Sequence, residues 1–173
     1  MLTKRKAVLF ALVIVGTGAL SVPMFLPSVI WSAPAVPSSI PAPDAKRGAY
    51  LFEASGCAGC HTRRAGAPLA GGVELKTPYG VFVAPNITPH EKMGIGRWTE
   101  TDFLRAMRIG VSPAGRHYFP SFPYTSYPNL MVRDLRDLWA YMRAVKPISA
   151  ASKHHRLGFP WSFRPGIGLW KLI

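Results

Sequence analysis

Cys57-Ala58-Gly59-Cys60-His61 constrains this chain more than any other segment, because it holds the only two cysteines among 173 residues. Cysteines three positions apart face the same way from one helical turn, so both thiols can add to the vinyl groups on one edge of a porphyrin. The neutral imidazole that follows can ligate the iron. C-x-x-C-H is the attachment motif of c-type haem. The sequence therefore predicts one covalently bound haem c, with Cys57 and Cys60 bonded to it and His61 as an iron ligand.

A cysteine pair is also typical of two other sites. A thioredoxin-like dithiol uses C-x-x-C within a βαβ unit, and half of a zinc site uses it together with two further ligands. No hydrophobic strand runs flank residues 57–61, and the other histidines are scattered along the chain. A dithiol redox protein is therefore the main alternative for the motif itself, and covalent haem in the purified chain would exclude it.

The first 31 residues predict an N-terminal membrane helix. A basic cluster at residues 4–6 precedes an apolar run from Ala7 to about Trp31, and the next charged residue is Asp44. Crossing a bilayer needs about 20 apolar residues, whereas a signal peptide has an apolar core of about 7–15. We favour an uncleaved anchor over a cleaved signal peptide. Either reading places the rest of the chain on the periplasmic side of the inner membrane, by the positive-inside rule.

Three further segments follow the anchor. Residues 32–43 form a proline-rich linker, whose extended polyproline II conformation would hold the next domain tens of ångströms from the membrane. Residues 44–147 form one small domain, and the haem is expected to supply much of its core. Residues 148–173 form an aromatic and basic tail with three open placements: along the domain, against a partner, or at the membrane interface.

The net charge of +13 indicates the kind of partner to expect. The arginines are spread along the chain and are not massed in a run, and the domain is predicted to work outside the cytoplasm. Nucleic acid is therefore not the expected partner. Steering towards an acidic redox protein or attraction to an anionic membrane surface explains the charge better.

Helical periodicity predicts a small all-α fold of three or more helices around the haem. The first helix covers residues 44–54 with Asp44 as its N-cap, and the second begins at Thr99 and ends at Gly110. The third covers residues 132–145 and ends before Pro147. Its core face follows the i, i+3, i+4, i+7 spacing, with Leu135, Leu138, Trp139 and Met142. Long glycine- and proline-rich loops, with one β-prone piece at residues 79–83, connect these helices.

Iron held by His61 has a second axial position. A methionine there gives an electron carrier of raised potential, a histidine gives a lower one, and an open position invites small-molecule chemistry. Met131, which lies just before the last helix, is the predicted ligand. The other candidates are Met93, Met107, Met142 and His117. Two of these methionines lie on apolar helical faces, where a core role is expected, and His117 is the best histidine alternative.

Several strings in the domain resemble one known family of c-type cytochromes, of the class I-like kind. They are C-A-G-C-H, V-F-V-A-P-N-I-T-P at 81–89, G-I-G-R-W-T at 94–99, G-V-S-P-A-G-R-H at 110–117 and F-P-Y-T-S-Y at 122–127. Together they resemble single haem modules in the cytochrome c subunits of membrane-bound alcohol, gluconate and related dehydrogenases. The resemblance covers roughly residues 44–145 and part of the tail.

This resemblance implies an electron relay from a dehydrogenase to quinone or an oxidase. Many such subunits carry several haems, whereas this chain resembles a single-haem relative. The resemblance also implies a methionine just after F-P-Y-T-S-Y as the distal ligand. A gapless count puts Leu130 in that position, and a shift of one residue puts Met131 there. The residues that we place around the haem and its propionates are Asn86, Trp98, Arg116 and Tyr124.

The sequence thus predicts a membrane-tethered monohaem cytochrome c that carries single electrons between a dehydrogenase and the respiratory chain. Its expected acceptor is an oxidase or another cytochrome. No nucleophile and base stand at a spacing typical of catalysis, so we expect no enzymatic activity of its own. The alternative from another class is a haem enzyme or gas sensor with an open sixth coordination position.

Overall fold

The computed structural model describes residues 4–172. The elements, in chain order, are α1 (Lys4–Phe25), α2 (Pro27–Ile30), α3 (Ala45–Ala54), α4 (Cys57–His61), β1 (Glu74–Thr77), β2 (Gly80–Val83), α5 (Glu100–Ile109), a 3₁₀ turn (Tyr124–Ser126), α6 (Val132–Ala144), β3 (Arg156–Leu157) and α7 (Gly166–Trp170). The three helices that the periodicity predicts correspond to α3, α5 and α6, and their ends agree with the predicted ones to within a residue or two.

Helix α1 is apolar on every side. Its 22 residues include an 18-residue window of mean hydropathy 2.2, and only 6% of that window is buried against the rest of the chain. In the part of the chain that the structure describes, this is the one helix that is long and apolar enough to cross a membrane. A helix that is hydrophobic all round needs an apolar surrounding, which the domain does not provide.

Helices α3 and α6 cross at close range and form the frame of the domain. Asp44 caps α3, since its carboxylate accepts hydrogen bonds from the backbone N–H groups two and three residues further on. Gly48 lies at the crossing, where a Cβ would overlap the carbonyl oxygen of Asp137. Arg47 binds the carboxylates of Asp134 and Asp137 on α6. A small residue and a buried ion pair therefore set the distance between these two helices.

Helix α5 has the capping signals that its sequence predicts. The hydroxyl of Thr99 accepts from the backbone N–H of Asp102, and the carboxylate of Asp102 accepts from the backbone N–H of Thr99 at 3.0 Å. Gly110 ends the helix with φ 60°, a conformation that favours glycine. The ring of Tyr124 lies where a Cβ at Gly110 would be, so the close approach requires glycine as well.

One hydrophobic core joins the helices of the domain. The rings of Phe103 on α5 and Trp139 on α6 stack with their centroids 5.0 Å apart. The buried members of this core are Phe52, Leu69, Ile95, Phe103, Leu104, Met107, Leu135, Leu138, Trp139 and Met142. Met107 and Met142 are thus core residues, as the helical pattern predicts.

A small sheet corrects the all-α expectation. Strands β1 and β2 form an antiparallel hairpin, in which Thr77 pairs with Gly80 across a two-residue turn, and β3 pairs with β2 in the order β1-β2-β3. The β-prone piece at residues 79–83 corresponds to β2. The third strand comes from the tail, more than seventy residues further along the chain. Such a short, non-local pairing leaves no periodic signal in either segment.

The proline-rich linker does not extend away from the domain, contrary to the expectation of a long spacer. Before it, Trp31 packs edge-on against His117, with ring centroids 5.2 Å apart. Within it, the carbonyl of Pro41 accepts a hydrogen bond from Arg136 at 3.0 Å. After it, the backbone N–H of Asp44 donates to the carboxylate of Asp137 at 2.7 Å. The domain therefore lies directly at the end of α1.

Candidate functional site

Helix α4 is a single turn that displays the motif Cys57–His61. Gly56 starts it from a left-handed conformation with φ 65°, which turns the chain sharply out of α3. Cys57 is half-buried and Cys60 is exposed, and the two thiols are not bonded to each other. A Cβ at Gly59 would meet nothing within 4 Å. The two thiols are therefore available to bond to another group, and the turn between them is open at Gly59.

His61 is held by a single backbone acceptor. Its Nδ1 lies 2.8 Å from the carbonyl oxygen of Pro85, and because a carbonyl can only accept, Nδ1 carries the proton. The lone pair of Nε2 then remains available to a metal. Burial lowers the pKa of His61, which the hydrogen bond to Pro85 partly opposes. The ring is therefore neutral at physiological pH with Nε2 unprotonated, as ligation of a metal requires.

Burial also shifts the pKa of the first cysteine of the motif, Cys57. Burial raises the pKa of its thiol, and a backbone hydrogen bond partly opposes that rise. A thiol with a raised pKa is not the activated thiolate of a redox-active dithiol, whose pKa is lowered by its surroundings. Cys57 therefore fits covalent attachment better than thiol–disulfide exchange.

The loop that carries Pro85 is tied to α4 by backbone contacts. The N–H of Gly71 donates to the carbonyl of His61 at 2.8 Å, and the N–H of Ile87 donates to the carbonyl of Leu69 at 3.0 Å. A Cβ at Gly71 would overlap the backbone of Pro85, and its φ of 76° also favours glycine. Two segments that are distant in sequence therefore set the distance between His61 and its acceptor. The sequence assigned no role to Pro85, although it lies within the string P-N-I-T-P.

Asn86 is buried next to this acceptor, and every polar atom of its side chain is engaged. The amide nitrogen donates to the carbonyls of Ile148 and Ala150 at 2.7 and 3.0 Å, and the amide oxygen accepts from the backbone N–H and the hydroxyl of Thr88. Asn86 thus joins the loop that carries Pro85 to the segment after α6. Its predicted contact with the haem stays a prediction.

Cys57 packs against the hydrophobic core together with half-buried apolar side chains from several loops. Of these, Tyr127 lies close to the motif: its pKa is raised by burial and, to a smaller extent, by the charges of Cys57 and Cys60. The other side chains of this set include Ile87, Trp98, Phe122, Leu130 and Val132. Trp98 packs on the same core, and its predicted contact with the haem stays a prediction, whereas Tyr127 and Ile87 had no predicted role. Apolar side chains from several loops therefore pack on the same core as the first cysteine of the motif.

Met131, the predicted sixth ligand, is the residue immediately before α6. Its side chain is 64% exposed, whereas that of the preceding Leu130 is half-buried and packs against the core. Arg108 donates to the carbonyl of Leu130 and holds this end of the loop. Met93, on another loop, is also exposed. Met131 is therefore an exposed residue that follows the half-buried Leu130. Its bond to iron stays a prediction.

The remaining predicted residues contact the end of α1 and the tail. His117 is buried, and its Nε2 lies 2.8 Å from the carbonyl oxygen of Pro23. Tyr124 is buried beneath the Lys171 ammonium, 4.5 Å from its ring, and burial raises the pKa of its phenol to about 12. Arg116 is exposed, and its backbone N–H donates to the hydroxyl of Ser112 at 3.0 Å. Haem contacts of Arg116 and Tyr124 stay predictions.

The residues around the motif fit a covalently attached haem c. They supply two unbridged thiols on one open helical turn, an imidazole with a free Nε2, and an apolar surround. Among residues 4–172, no group of three or more His, Cys, Asp or Glu side chains gathers in a way that would hold a metal ion. Fold and site together define a c-type haem protein.

Comparison with known proteins gives the family. The family model for cytochrome c matches residues 45–146. A diheme cytochrome c-type protein of Cereibacter sphaeroides is 44% identical over 75% of this chain and 46% of its own length. The fructose dehydrogenase cytochrome subunit of Gluconobacter japonicus is 41% identical over 79% of this chain and 28% of its own length. The alcohol dehydrogenase (quinone) cytochrome c subunit of Gluconobacter oxydans is 39% identical over 74% and 27%.

The chain belongs to the cytochrome c family, whose members transport electrons through covalently bound haem. It spans less than half the length of each of these relatives. Two of the three are cytochrome subunits of dehydrogenases, which agrees with the family that the sequence strings resemble.

Proposed function

We propose that this protein is a membrane-tethered monohaem cytochrome c that carries single electrons from a dehydrogenase to the respiratory chain. The proposal depends above all on one contact, the hydrogen bond from His61 to the carbonyl of Pro85. That bond fixes the tautomer and the ring orientation of an iron ligand beside two thiols. A bound haem would supply reversible one-electron chemistry at the iron.

The number of haems follows from the cysteines. The 173 residues contain a single C-x-x-C-H and no further cysteine, so the chain can attach one haem. The relative from Cereibacter sphaeroides is named a diheme protein, and this chain spans less than half of it. One haem gives a carrier of one electron at a time, which must meet its donor and its acceptor in turn.

The tether and the orientation follow from α1. A 22-residue helix at about 1.5 Å per residue is roughly 33 Å long, which is enough for a hydrocarbon core of about 30 Å. Lys4, Arg5 and Lys6 precede it, and such clusters stay in the cytoplasm. The haem domain then faces the periplasm, where a dehydrogenase and an oxidase or another cytochrome are its partners.

The chain's own residues hold the haem and perform no chemistry on a substrate. Cys57 and Cys60 attach it, His61 ligates the iron, and the apolar loops exclude water from the ring. Exclusion of water lowers the dielectric around the iron, which disfavours the more highly charged ferric state and raises the reduction potential. The buried core and the cap contacts keep these groups in place in both oxidation states.

A haem enzyme or gas sensor is the second candidate, and one observation favours it. The position that a gapless count assigns to the distal ligand is Leu130, which packs against the core, and Met131 beside it is largely exposed. If neither residue reaches the iron, the sixth position is open to a small molecule.

Spectroscopy of the purified haem protein distinguishes the two candidates. The carrier predicts one haem per polypeptide by pyridine haemochrome assay, a low-spin ferric spectrum with the weak near-infrared methionine–iron band, and no binding of carbon monoxide to the reduced protein. A high-spin ferric spectrum together with rapid binding of carbon monoxide would establish the second candidate instead.

The choice of partner has its own test. Mild detergent extracts of the native membrane should yield the protein together with a dehydrogenase, and substrate of that dehydrogenase should reduce the haem. Reduction at equal rates with and without the co-purified dehydrogenase would contradict this part of the proposal.

A further inference from the structure

In the last turn of α1 the backbone carbonyl of Pro23 lacks its helical hydrogen-bond donor. In a helix the carbonyl of Pro23 would accept from the residue four positions on, but that residue is Pro27, which has no N–H. His117 supplies the missing donor, with its Nε2 2.8 Å from the Pro23 oxygen. The haem domain therefore completes the hydrogen bonding of the membrane helix at its outer end.

The tail packs on the same turn. Gly168 on α7 lies so close to Pro23 that a Cβ would overlap the Pro23 carbonyl. Lys171 donates to the carbonyls of Ile109 and Gly110 at the end of α5, which ties α7 to the haem domain. Helix α7 is thus held between the end of α1 and the domain.

The depth of this contact follows from the length of α1. Pro23 lies sixteen residues after Ala7, where the apolar run begins, so it is about 24 Å further along the helix axis. The hydrocarbon core of a bilayer is about 30 Å thick. If Ala7 lies at the inner boundary, Pro23 and the α7 turn beside it lie about 6 Å inside the outer boundary, where the lipid chains approach the headgroups.

The exposed side chains of the tail are of the types expected near the boundary between lipid chains and headgroups. Phe159 is 86% exposed, and about half of the surface of four further large side chains is exposed: Trp161, Phe163, Trp170 and Leu172. Aromatic residues, Trp above all, are enriched at the boundary between lipid chains and water. The segment 138–173 contains no acidic residue and includes six basic ones, which anionic headgroups attract.

We propose that residues 159–172 form an interfacial surface that rests on the outer leaflet of an anionic phospholipid bilayer beside α1. This inference depends on the proposed membrane tether. Continuity with the end of α1 favours lipid over a protein partner, since the α1–α7 contact carries the exposed side chains to the headgroups. The haem domain then has a fixed orientation on the membrane and does not swing on a linker.

Spin labels on the haem protein in vesicles test this surface. The full chain is reconstituted in phosphatidylethanolamine–phosphatidylglycerol vesicles, with one cysteine introduced as Phe163→Cys or Trp170→Cys. Tyr50→Cys on α3, another exposed aromatic position, is the matched control. Thioether bonds block Cys57 and Cys60, so a nitroxide reacts only with the introduced thiol. Deuterium modulation of the reduced, diamagnetic protein is measured in D₂O and, separately, with lipids that have deuterated acyl chains.

The expected result is lipid modulation at residues 163 and 170, with D₂O modulation less than half of that at residue 50. In phosphatidylcholine vesicles the lipid modulation should weaken, because the headgroups carry no net charge. Flotation of the vesicles reports the tether independently. A chain that does not float overturns both the tether and this surface. If the chain floats but the D₂O modulation at residues 163 and 170 equals that at residue 50, the interfacial surface is overturned and the tether is not. Labels shielded from water without lipid modulation also overturn it and indicate protein contacts.

Discussion

Two histidines, the half-buried His61 and the buried His117, make almost the same contact and differ in which ring nitrogen it leaves free. Each ring donates one N–H to a proline carbonyl at 2.8 Å, His61 through Nδ1 to Pro85 and His117 through Nε2 to Pro23. Burial lowers the pKa of both rings. His61 keeps Nε2 for a ligand beside two thiols. The other nitrogen of His117 is buried, and no residue among 4–172 bonds to it.

The comparison shows that residue type and burial do not decide whether a histidine ligates a metal. What decides is which nitrogen the protein consumes and what the other one faces. At His61 the backbone takes Nδ1 and leaves Nε2 for a ligand. At His117 the backbone of α1 takes Nε2, and Trp31 packs edge-on against the ring. The first is a candidate iron ligand, and the second holds the end of α1.

The largest expected effect comes from removing each of the two imidazole rings in turn and comparing the haem content of the two variants. His61→Ala should lose nearly all low-spin haem absorbance per polypeptide, because no other imidazole lies beside the thiols. His117→Ala should keep it, because its ring contacts α1. Pyridine haemochrome assays and visible spectra of the purified variants measure both. Gly59→Ala is the control within the motif, since its Cβ meets open space. Loss of absorbance in the His117 variant with unchanged stability would show that His117 ligates the iron.

The distal side of the haem gives the next largest effect. Met131→Ala should lower the reduction potential by a sizeable part of the about 0.8 V range that axial ligands span, and should remove the near-infrared methionine band. Leu130→Ala should keep the band, because a leucine cannot ligate iron. Spectroelectrochemical titration measures the potential. A Met131 variant with wild-type potential and spectrum would remove Met131 from the site and leave the sixth position to another residue or to none.

The next prediction concerns Asn86, which follows Pro85, the hydrogen-bond acceptor of His61. Asn86→Ala removes a donor from each of the half-buried carbonyls of Ile148 and Ala150 and removes the acceptor of the buried Thr88 N–H, which should cost about 2–4 kcal/mol of unfolding free energy. Denaturant unfolding of the haem protein, followed by far-UV circular dichroism, measures this cost. Ser149→Ala, at an exposed position in the same segment, is the control and should change stability little. A loss in the Asn86 variant no larger than in the control would mean that these hydrogen bonds do not stabilise the loop.

The smallest expected effect concerns pH and His117. Because burial lowers the pKa of His117 below 6.5, the unfolded chain takes up the proton first on acidification. The contribution of the neutral ring is therefore complete above about pH 6.5 and is lost as the pH falls towards the lowered pKa. His117→Gln keeps an N–H donor for Pro23 without a titrating group, so it should lose less stability between pH 8 and pH 5 than the wild type.

Unfolding of both proteins in detergent at the two pH values gives this difference. The pKa values of His61 and His155 are also lowered by burial, and since both proteins contain these residues, their contributions cancel. Equal losses in the two proteins would mean that His117 is not a neutral donor in the folded state.

Much of the fold was readable from local signals. Asp44 and the pair Thr99 and Asp102 are caps, Gly110 ends a helix, and the apolar spacing on α6 marks the core face. Each of these signals acts within one or two helical turns, so the neighbouring residues contain it completely. The pairing of β3 with β2, the folded linker and the acceptor Pro85 were not predicted, because each is a contact between segments far apart in sequence.

The candidate site divides in the same way. The motif Cys57–His61 predicted the attachment and the proximal ligand, since both depend on spacing within one turn. Trp98 was predicted near the site, and Tyr127 was missed although it lies in the string F-P-Y-T-S-Y. Met131 is still a prediction, because a loop of several residues decides which side chain reaches the iron.

The sequence by itself determined that this chain carries one C-x-x-C-H motif for covalent haem and an apolar N-terminal helix, because covalent chemistry and hydropathy depend on residue type and spacing alone. Only the tertiary structure decided which nitrogen of each histidine is free, and that the domain is joined to the end of α1. The physical reason is that the Pro23 carbonyl, which Pro27 leaves without a helical donor, is satisfied by an imidazole 94 residues away. Nothing in either segment encodes that contact on its own.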